Sequence, residues 1–409
     1  MRIAIIGAGL TGLSCALQLK EYMDVVVFER DSVGGLVSCY CTDRYCIEKF
    51  YHHCFKNDKA LIELIKNLGL SNKLVWRVVR VAYSIDGKIY PLNTPLEILR
   101  YPHISLIDKI KLAIFTLRSK RRDYRKMDNV GVIEGIKEEL GEDLLKFFLP
   151  LLKAKFGEYY KDVSYAWLLA RVAIRSNRTL KGELLGYLRH GFHQLIRKME
   201  EEVDIRKFNN KFEKLNGKYI VNGEKFDALV YTGPIPELDR SLRLVAGLPE
   251  VKYQSSICAL ISSEDSITED IYWTNVDEAI FGAIIEHTHF MPFEDYGEHI
   301  IYLASYSTPD GWLFNLDNKS LVKLYIKEIE KFGLKRESIN WIKIFKAKYS
   351  GPIYEKGYLS KVTPYKTKLN GFYVAGMTSP PNYPERSMNG CVLAGMEVAN
   401  VIKKDFGFT

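Results

Sequence analysis

Ile3-Ala4-Ile5-Ile6-Gly7-Ala8-Gly9-Leu10-Thr11-Gly12-Leu13, followed by Val25-Val26-Val27-Phe28-Glu29, is the part of this chain around which the remainder is arranged. A short apolar run ending in glycine reads as a buried strand, and the residues after it open a helix. A second apolar run then ends in an acid. Gly7 permits the tight turn, Gly9 lets the backbone approach a pyrophosphate, and Gly12 lets the helix lie close on the strand. Amides at the helix start then face the phosphates, and Glu29 stands at the spacing of a carboxylate that binds a ribose hydroxyl. A glycine triplet alone is a weak signal, because packing also produces short glycine turns. Here strand, turn, helix, second strand and terminal acid agree, which predicts a Rossmann-like α/β nucleotide-binding domain.

Other segments narrow the nucleotide. Arg30-Asp31-Ser32-Val33-Gly34-Gly35-Leu36 sets a second glycine pair directly after the ribose acid. Phe226-Asp227-Ala228-Leu229-Val230-Tyr231-Thr232-Gly233 is a buried strand with a glycine exit, and Phe372-Tyr373-Val374-Ala375-Gly376-Met377 repeats that form. Pro384-Glu385-Arg386-Ser387-Met388-Asn389-Gly390 then begins a final helix whose first amides add to the site. In this order the segments resemble the protoporphyrinogen-oxidase-like branch of the flavin amine oxidase superfamily. Three residues depart from the usual pattern: Leu36 stands where an Arg is usual, Met377 where many members carry an acid, and His190 where a glycine is usual.

The resemblance implies non-covalent FAD in a domain built from residues 1–72, 184–236 and 366–409. Interleaved with it is a substrate domain, helical in 73–183 and a mixed sheet in 237–365. The cofactor contacts implied are Gly7, Gly9, Leu10, Thr11, Gly12, Glu29, Arg30, Gly34, Gly35 and Leu36 at the front of the chain. Phe212, at the adenine-packing position, Thr232 and Gly233 follow in the middle, and Gly376, Met377, Met388 and Asn389 at the end. Chemistry in that branch moves a hydride from a C–H or C–N bond to flavin N5, beside an elongated substrate cavity.

Candidate catalytic groups are His52 and His53, in the segment that reaches the flavin ring, with Glu286 and His287 at the polar end of a predicted strand. Structural histidines and an exposed strand end are the plainer alternatives. Arg171 and Arg175 lie four apart, on one helix face, where they would clamp an anionic substrate or stand as surface charges. Three functions fit. One is an oxidoreductase of a bulky amine, tetrapyrrole or isoprenoid-like substrate; another is a sugar-nucleotide mutase resembling UDP-galactopyranose mutase; the third is a flavin-binding scaffold.

At 409 residues the chain exceeds one simple core, and 47% hydrophobic with 26% charged residues is an ordinary globular composition. The net charge of +8 favours acidic partners, whereas no nucleic-acid module is present. Met1 leads straight into the first strand and no apolar run spans a bilayer, so a cytoplasmic location is expected. Scarce glutamine with abundant Lys, Glu, Ile and Tyr leans towards a thermophile. Ile104 to Leu117 is amphipathic and runs into the basic cluster Arg118 to Lys126, either a solvated helix end or an anchor on an anionic membrane surface. Cys39, Cys41, Cys46 and Cys54 have spacings that do not suit a metal, so buried thiols are expected, with a disulfide only in a thermophile.

Overall fold

A computed structural model describes residues 1–174, 178–179, 181–209 and 211–408. Strand β1 (Arg2–Ile6) is the centre of a five-stranded sheet in the order 372–374, 228–231, 2–6, 24–29, 204–207. All its neighbours run parallel. Both faces are covered, which explains why the strands read as unbroken apolar runs. Ile3, Ile5, Val25 and Val27 pack on helix α1 (Leu10–Leu19) and on the last helix, Met388–Asp405. Ala4, Ile6, Val26 and Phe28 pack on a small antiparallel sheet of residues 212–226. The chain reverses between β1, β2 (Asp24–Glu29) and Ala228–Tyr231, so a crevice forms at the carboxyl ends of these strands.

The second architecture is a nine-stranded sheet, antiparallel except where Ile271–Val276 lies parallel to Leu74–Ile85. Helices drawn from residues 95–174 pack around a separate core that includes Ile136, Leu144, Phe156 and Trp167. Hairpin turns obey their local chemistry. Asp86-Gly87, Asn216-Gly217 and Asn222-Gly223 each place both residues at positive φ, as a two-residue hairpin loop demands.

Some expectations are corrected. Gly182–Leu188 pairs with Leu74–Ile85, so residues 184–188 belong to the large sheet and not to the nucleotide sheet. Ile271–Val276 lies in the interior of the large sheet. Cys41 and Cys46 form a disulfide where thiols were expected, because the hairpin register sets them opposite each other with Cα atoms 4.0 Å apart. Cys15, Cys39, Cys54, Cys258 and Cys391 remain thiols. Among the described residues, no helix is long and apolar enough to cross a membrane.

Candidate active site

The nucleotide end is built from backbone. Gly7 has φ +106°, and a Cβ there would lie 2.7 Å from Thr232 Oγ1. A Cβ on Gly12 would lie 1.9 Å from the Gly7 carbonyl oxygen, so α1 can sit on the turn only without a side chain at this position. Gly9 is different: a Cβ there would meet nothing within 4 Å. That open space lies before the first turn of α1, whose N-terminal amides have no side-chain cap. A pyrophosphate fits such a cradle. Glu29 accepts the Ala8 amide at 2.7 Å and the Asp31 amide at 2.8 Å. Each carboxylate oxygen keeps a further lone pair for a ribose hydroxyl. Thr232 Oγ1 lies 2.9 Å from the Ile6 carbonyl and 3.0 Å from that of Gly7, tying the turn to the neighbouring strand.

The second glycine pair closes the same crevice. Gly34 has φ +103° and donates to the Ala8 carbonyl at 2.8 Å, and Gly35 comes within 3.5 Å of Gly9 Cα when given a Cβ. Leu10 and Thr11 are buried in α1, and Thr11 meets the last helix at Gly395, where a Cβ would lie 2.4 Å from its carbonyl. Arg30 pairs with Asp31 and Glu237. Gly233 is held against Tyr231, and Phe212 packs on Phe372 at 6.0 Å. Gly376 uses its amide on Ser379 Oγ and its carbonyl on Asn382. Met377 packs against the core of the helical segment.

Beyond the crevice lie two adjoining cavities. One, of about 540 Å³, is lined by Leu36, His52, His53, Arg386, Met388 and Asn389, among others. The other, of about 300 Å³, is walled by apolar side chains such as Ile98, Leu112, Phe147 and Leu151. Tyr51, Lys155, Arg171, Trp273 and Tyr306 line both. This junction is the charged point of the site. Glu385 lies 3.6 Å from Lys155 and 3.5 Å from Arg171, and it accepts the Trp167 indole N–H. Burial by itself would raise the Glu385 carboxyl, but Lys155, Arg171 and Arg386 hold it below its ordinary value. Lys155 also sits over the Trp167 and Tyr306 rings. Arg175 lies outside the described residues.

His52 Nδ1 donates to the Phe50 carbonyl at 2.7 Å, so in the neutral ring Nε2 is the acceptor. Burial lowers its pKa to about 4, and the ring is neutral at pH 7. His53 Nδ1 lies 3.3 Å from the Tyr272 hydroxyl. Glu286 and His287 line neither cavity. Glu286 accepts the amides of Ile267 and Thr268 and the Thr268 hydroxyl, which makes it the anchor of a loop. His287 is buried among Tyr187, Phe290, Tyr296 and Tyr302, bonded to the Tyr296 hydroxyl at 2.7 Å. The strand Ala283–Glu286 thus ends outside both cavities. Sequence reasoning missed Lys155, Trp273, Tyr306 and Glu385. Glu385 precedes the last helix, and nothing in its local sequence marks it as buried.

Comparisons with known proteins agree with this geometry. Residues 10–403 match the family described as flavin containing amine oxidoreductase. A coproporphyrinogen III oxidase of Staphylococcus aureus is 27% identical over 274 residues, which span 58% of this chain and 58% of that enzyme. A 15-cis-phytoene desaturase of Synechococcus elongatus is 36% identical over 80 residues, 19% of this chain and 17% of that one. The chain thus spans well under two thirds of the length of either relative. A solved structure of a candidate protoporphyrinogen oxidase from Exiguobacterium superposes with TM-score 0.76 at 18% identity, covering 99% of both chains. Reduced UDP-galactopyranose mutase superposes with TM-score 0.74 at 17% identity, covering 98% of this chain and 94% of that one. These last two likenesses carry the fold alone. The glycine cradle, the crevice at the strand ends and a family match across nearly the whole chain lead to one conclusion: this chain belongs to the flavin containing amine oxidoreductases.

Proposed function

We propose that the chain is an FAD-dependent oxidoreductase of an elongated, largely apolar organic substrate (an amine, tetrapyrrole or isoprenoid-like molecule) with an anionic or polar group near its middle. The observation that carries this reading is the pair of adjoining cavities, one lined by the flavin-side segments and one mostly apolar, meeting at Arg171 and Lys155. The relatives named above act, by their names, on a tetrapyrrole and on phytoene. Bound flavin supplies the hydride acceptor of the reaction. The chain's own residues do the remainder. Phe147, Leu112 and Leu151 exclude water from the apolar arm. Arg171 and Lys155 meet an anionic group, and Glu385 holds their orientation. His52, neutral and with Nε2 as acceptor, orients a substrate N–H or O–H; with a pKa near 4 it does not keep a proton.

Non-covalent attachment belongs to the same proposal. The Cys54 thiol is buried, and burial raises its pKa, so the reactive thiolate is suppressed. A cytoplasmic setting goes with a thermophilic source, since intracellular disulfides such as Cys41–Cys46 are common there. The test is anaerobic mixing of the yellow holoprotein with candidate substrates. Bleaching of the flavin by an apolar amine, tetrapyrrole or polyene supports the reading. Tight binding of a UDP-sugar to dithionite-reduced protein, lost in Arg171→Ala, overturns it in favour of a mutase.

A further inference from the structure

Surface helices of soluble proteins bury their apolar stripe. Helix Leu106–Ser119 does the reverse. At about 100° of turn per residue, Leu106, Ile107, Ile110, Ile114 and Leu117 share one side, and all are exposed, from 45% at Ile114 to 69% at Ile107. On the opposite side Asp108, Phe115 and Ser119 are buried. Asp108 is satisfied there by the Ser105 hydroxyl at 2.6 Å and by Lys111 at 3.0 Å. The preceding helix, Pro95–Arg100, adds Leu96 and Leu99, 54% and 55% exposed. Lys109 joins the two helices by donating to the carbonyls of Leu99 and Tyr101, each at 2.7 Å. Seven of the sixteen exposed large hydrophobic residues described in the chain therefore lie between positions 96 and 117. An apolar face of this kind marks a surface that is covered in use.

The charge around the face says by what. Lys111 and Arg118 stand along its edge, and Lys120, Arg121, Arg125 and Lys126 continue the basic rim beyond the helix end. Among the described residues, Arg118, Lys120, Arg121, Arg125 and Lys126 make no ion pair, and all five are exposed. A second copy of the chain would bring this rim against its own like charge. Apolar side chains at the centre and cations at the border suit an acyl layer under anionic headgroups.

We infer that the outer face of Leu106–Ser119, with Pro95–Arg100 beside it, docks on an anionic lipid bilayer. The inner face of the same two helices supplies Ile98, Lys109, Leu112 and Thr116 to the apolar cavity. One helix then separates the cavity from the lipid, and an apolar substrate enters from the membrane phase. That last step rests on the oxidoreductase reading; the docking does not.

Flotation of the holoprotein with vesicles tests it. Vesicles of phosphatidylglycerol and phosphatidylcholine should bind the protein at least about tenfold better than phosphatidylcholine alone at low salt, with the difference shrinking as salt rises. The double substitution Ile110→Glu with Leu117→Glu should lower binding about tenfold or more, because it sets charge where acyl chains lie. Leu244→Glu, on another exposed helix, should leave binding unchanged. Flavin content and melting temperature equal to wild type show that the variants are folded. Equal binding to both vesicle types overturns the inference, as does a double variant that binds like wild type. So does a wild-type dimer that the double variant splits, with neither protein binding vesicles. Because no substrate enters the assay, failure of docking leaves the oxidoreductase reading standing.

Discussion

The nucleotide crevice and the substrate cavity are opposite kinds of site in one molecule. The crevice is made of main chain: Gly7, Gly9, Gly12 and Gly34 act through the side chains they lack, and Glu29 and Thr232 chiefly tie backbone to backbone. Nearly all of it lies in a few short segments beside β1. The cavity is made of side chains from far-apart segments, with Tyr51, Lys155, Arg171, Trp273, Tyr306 and Glu385 brought together only by the large sheet and the helices on it. A site that binds through backbone geometry tolerates little change and repeats across relatives. A site of side chains on a separate scaffold is free to vary, which is how one fold takes many substrates.

Substitutions inside the glycine cradle give the largest effects and test whether the crevice binds through its backbone. Gly12→Val places a side chain into the Gly7 carbonyl, and a loss of about 4 kcal/mol or more is expected, with little folded protein recovered. Gly9→Val meets open space, so the fold should survive with a cost under about 1 kcal/mol, yet flavin retention should be abolished because the side chain occupies the pyrophosphate's place. Thermal melts and flavin release on denaturation read both. A Gly9→Val protein with full flavin content would break the comparison at its root.

Acid should act on the substrate half first. His52, at the cavity, and His287, beside the large sheet, are buried with pKa values lowered by desolvation to about 4 and about 3. Unfolded histidine titrates near 6.5, so between these values the unfolded chain binds more protons than the folded one. Stability is therefore full above about pH 6.5 and falls as pH drops towards 4, by up to about 3 kcal/mol for each ring. Denaturant titrations across this range should show the slope, and His287→Asn should remove about half of it.

The smallest effects separate residues that touch the cavity from those that do not. Arg171→Ala should raise KM by a few-fold, under about 1.4 kcal/mol, since its guanidinium already pairs with Glu385. Glu286→Gln should cost about 1–2 kcal/mol of stability through its loop contacts, yet leave anaerobic flavin reduction within about twofold of wild type. A large kinetic defect in Glu286→Gln would return that residue to the chemistry.

What the amino-acid order determined by itself is the part whose physics is local. A glycine at positive φ, an apolar run ended by an acid, and Asp-Gly or Asn-Gly between strands state their conformation within a few residues, so β1, α1, β2 and three hairpin turns were legible. The Rossmann-like sheet followed from them. Tertiary structure alone decided the substrate half. His52 and Glu286 are equally polar in sequence, yet one lines a cavity while the other ties a loop, and only the packing of the whole chain separates them. Glu385 acquires meaning from Lys155 and Arg171, more than two hundred residues earlier. Cys41 finds Cys46 through hairpin register, and Leu106–Ser119 turns its apolar side outward because its other side closes a cavity. Burial and the meeting of distant side chains are properties of the packed chain, and no short window of sequence contains them.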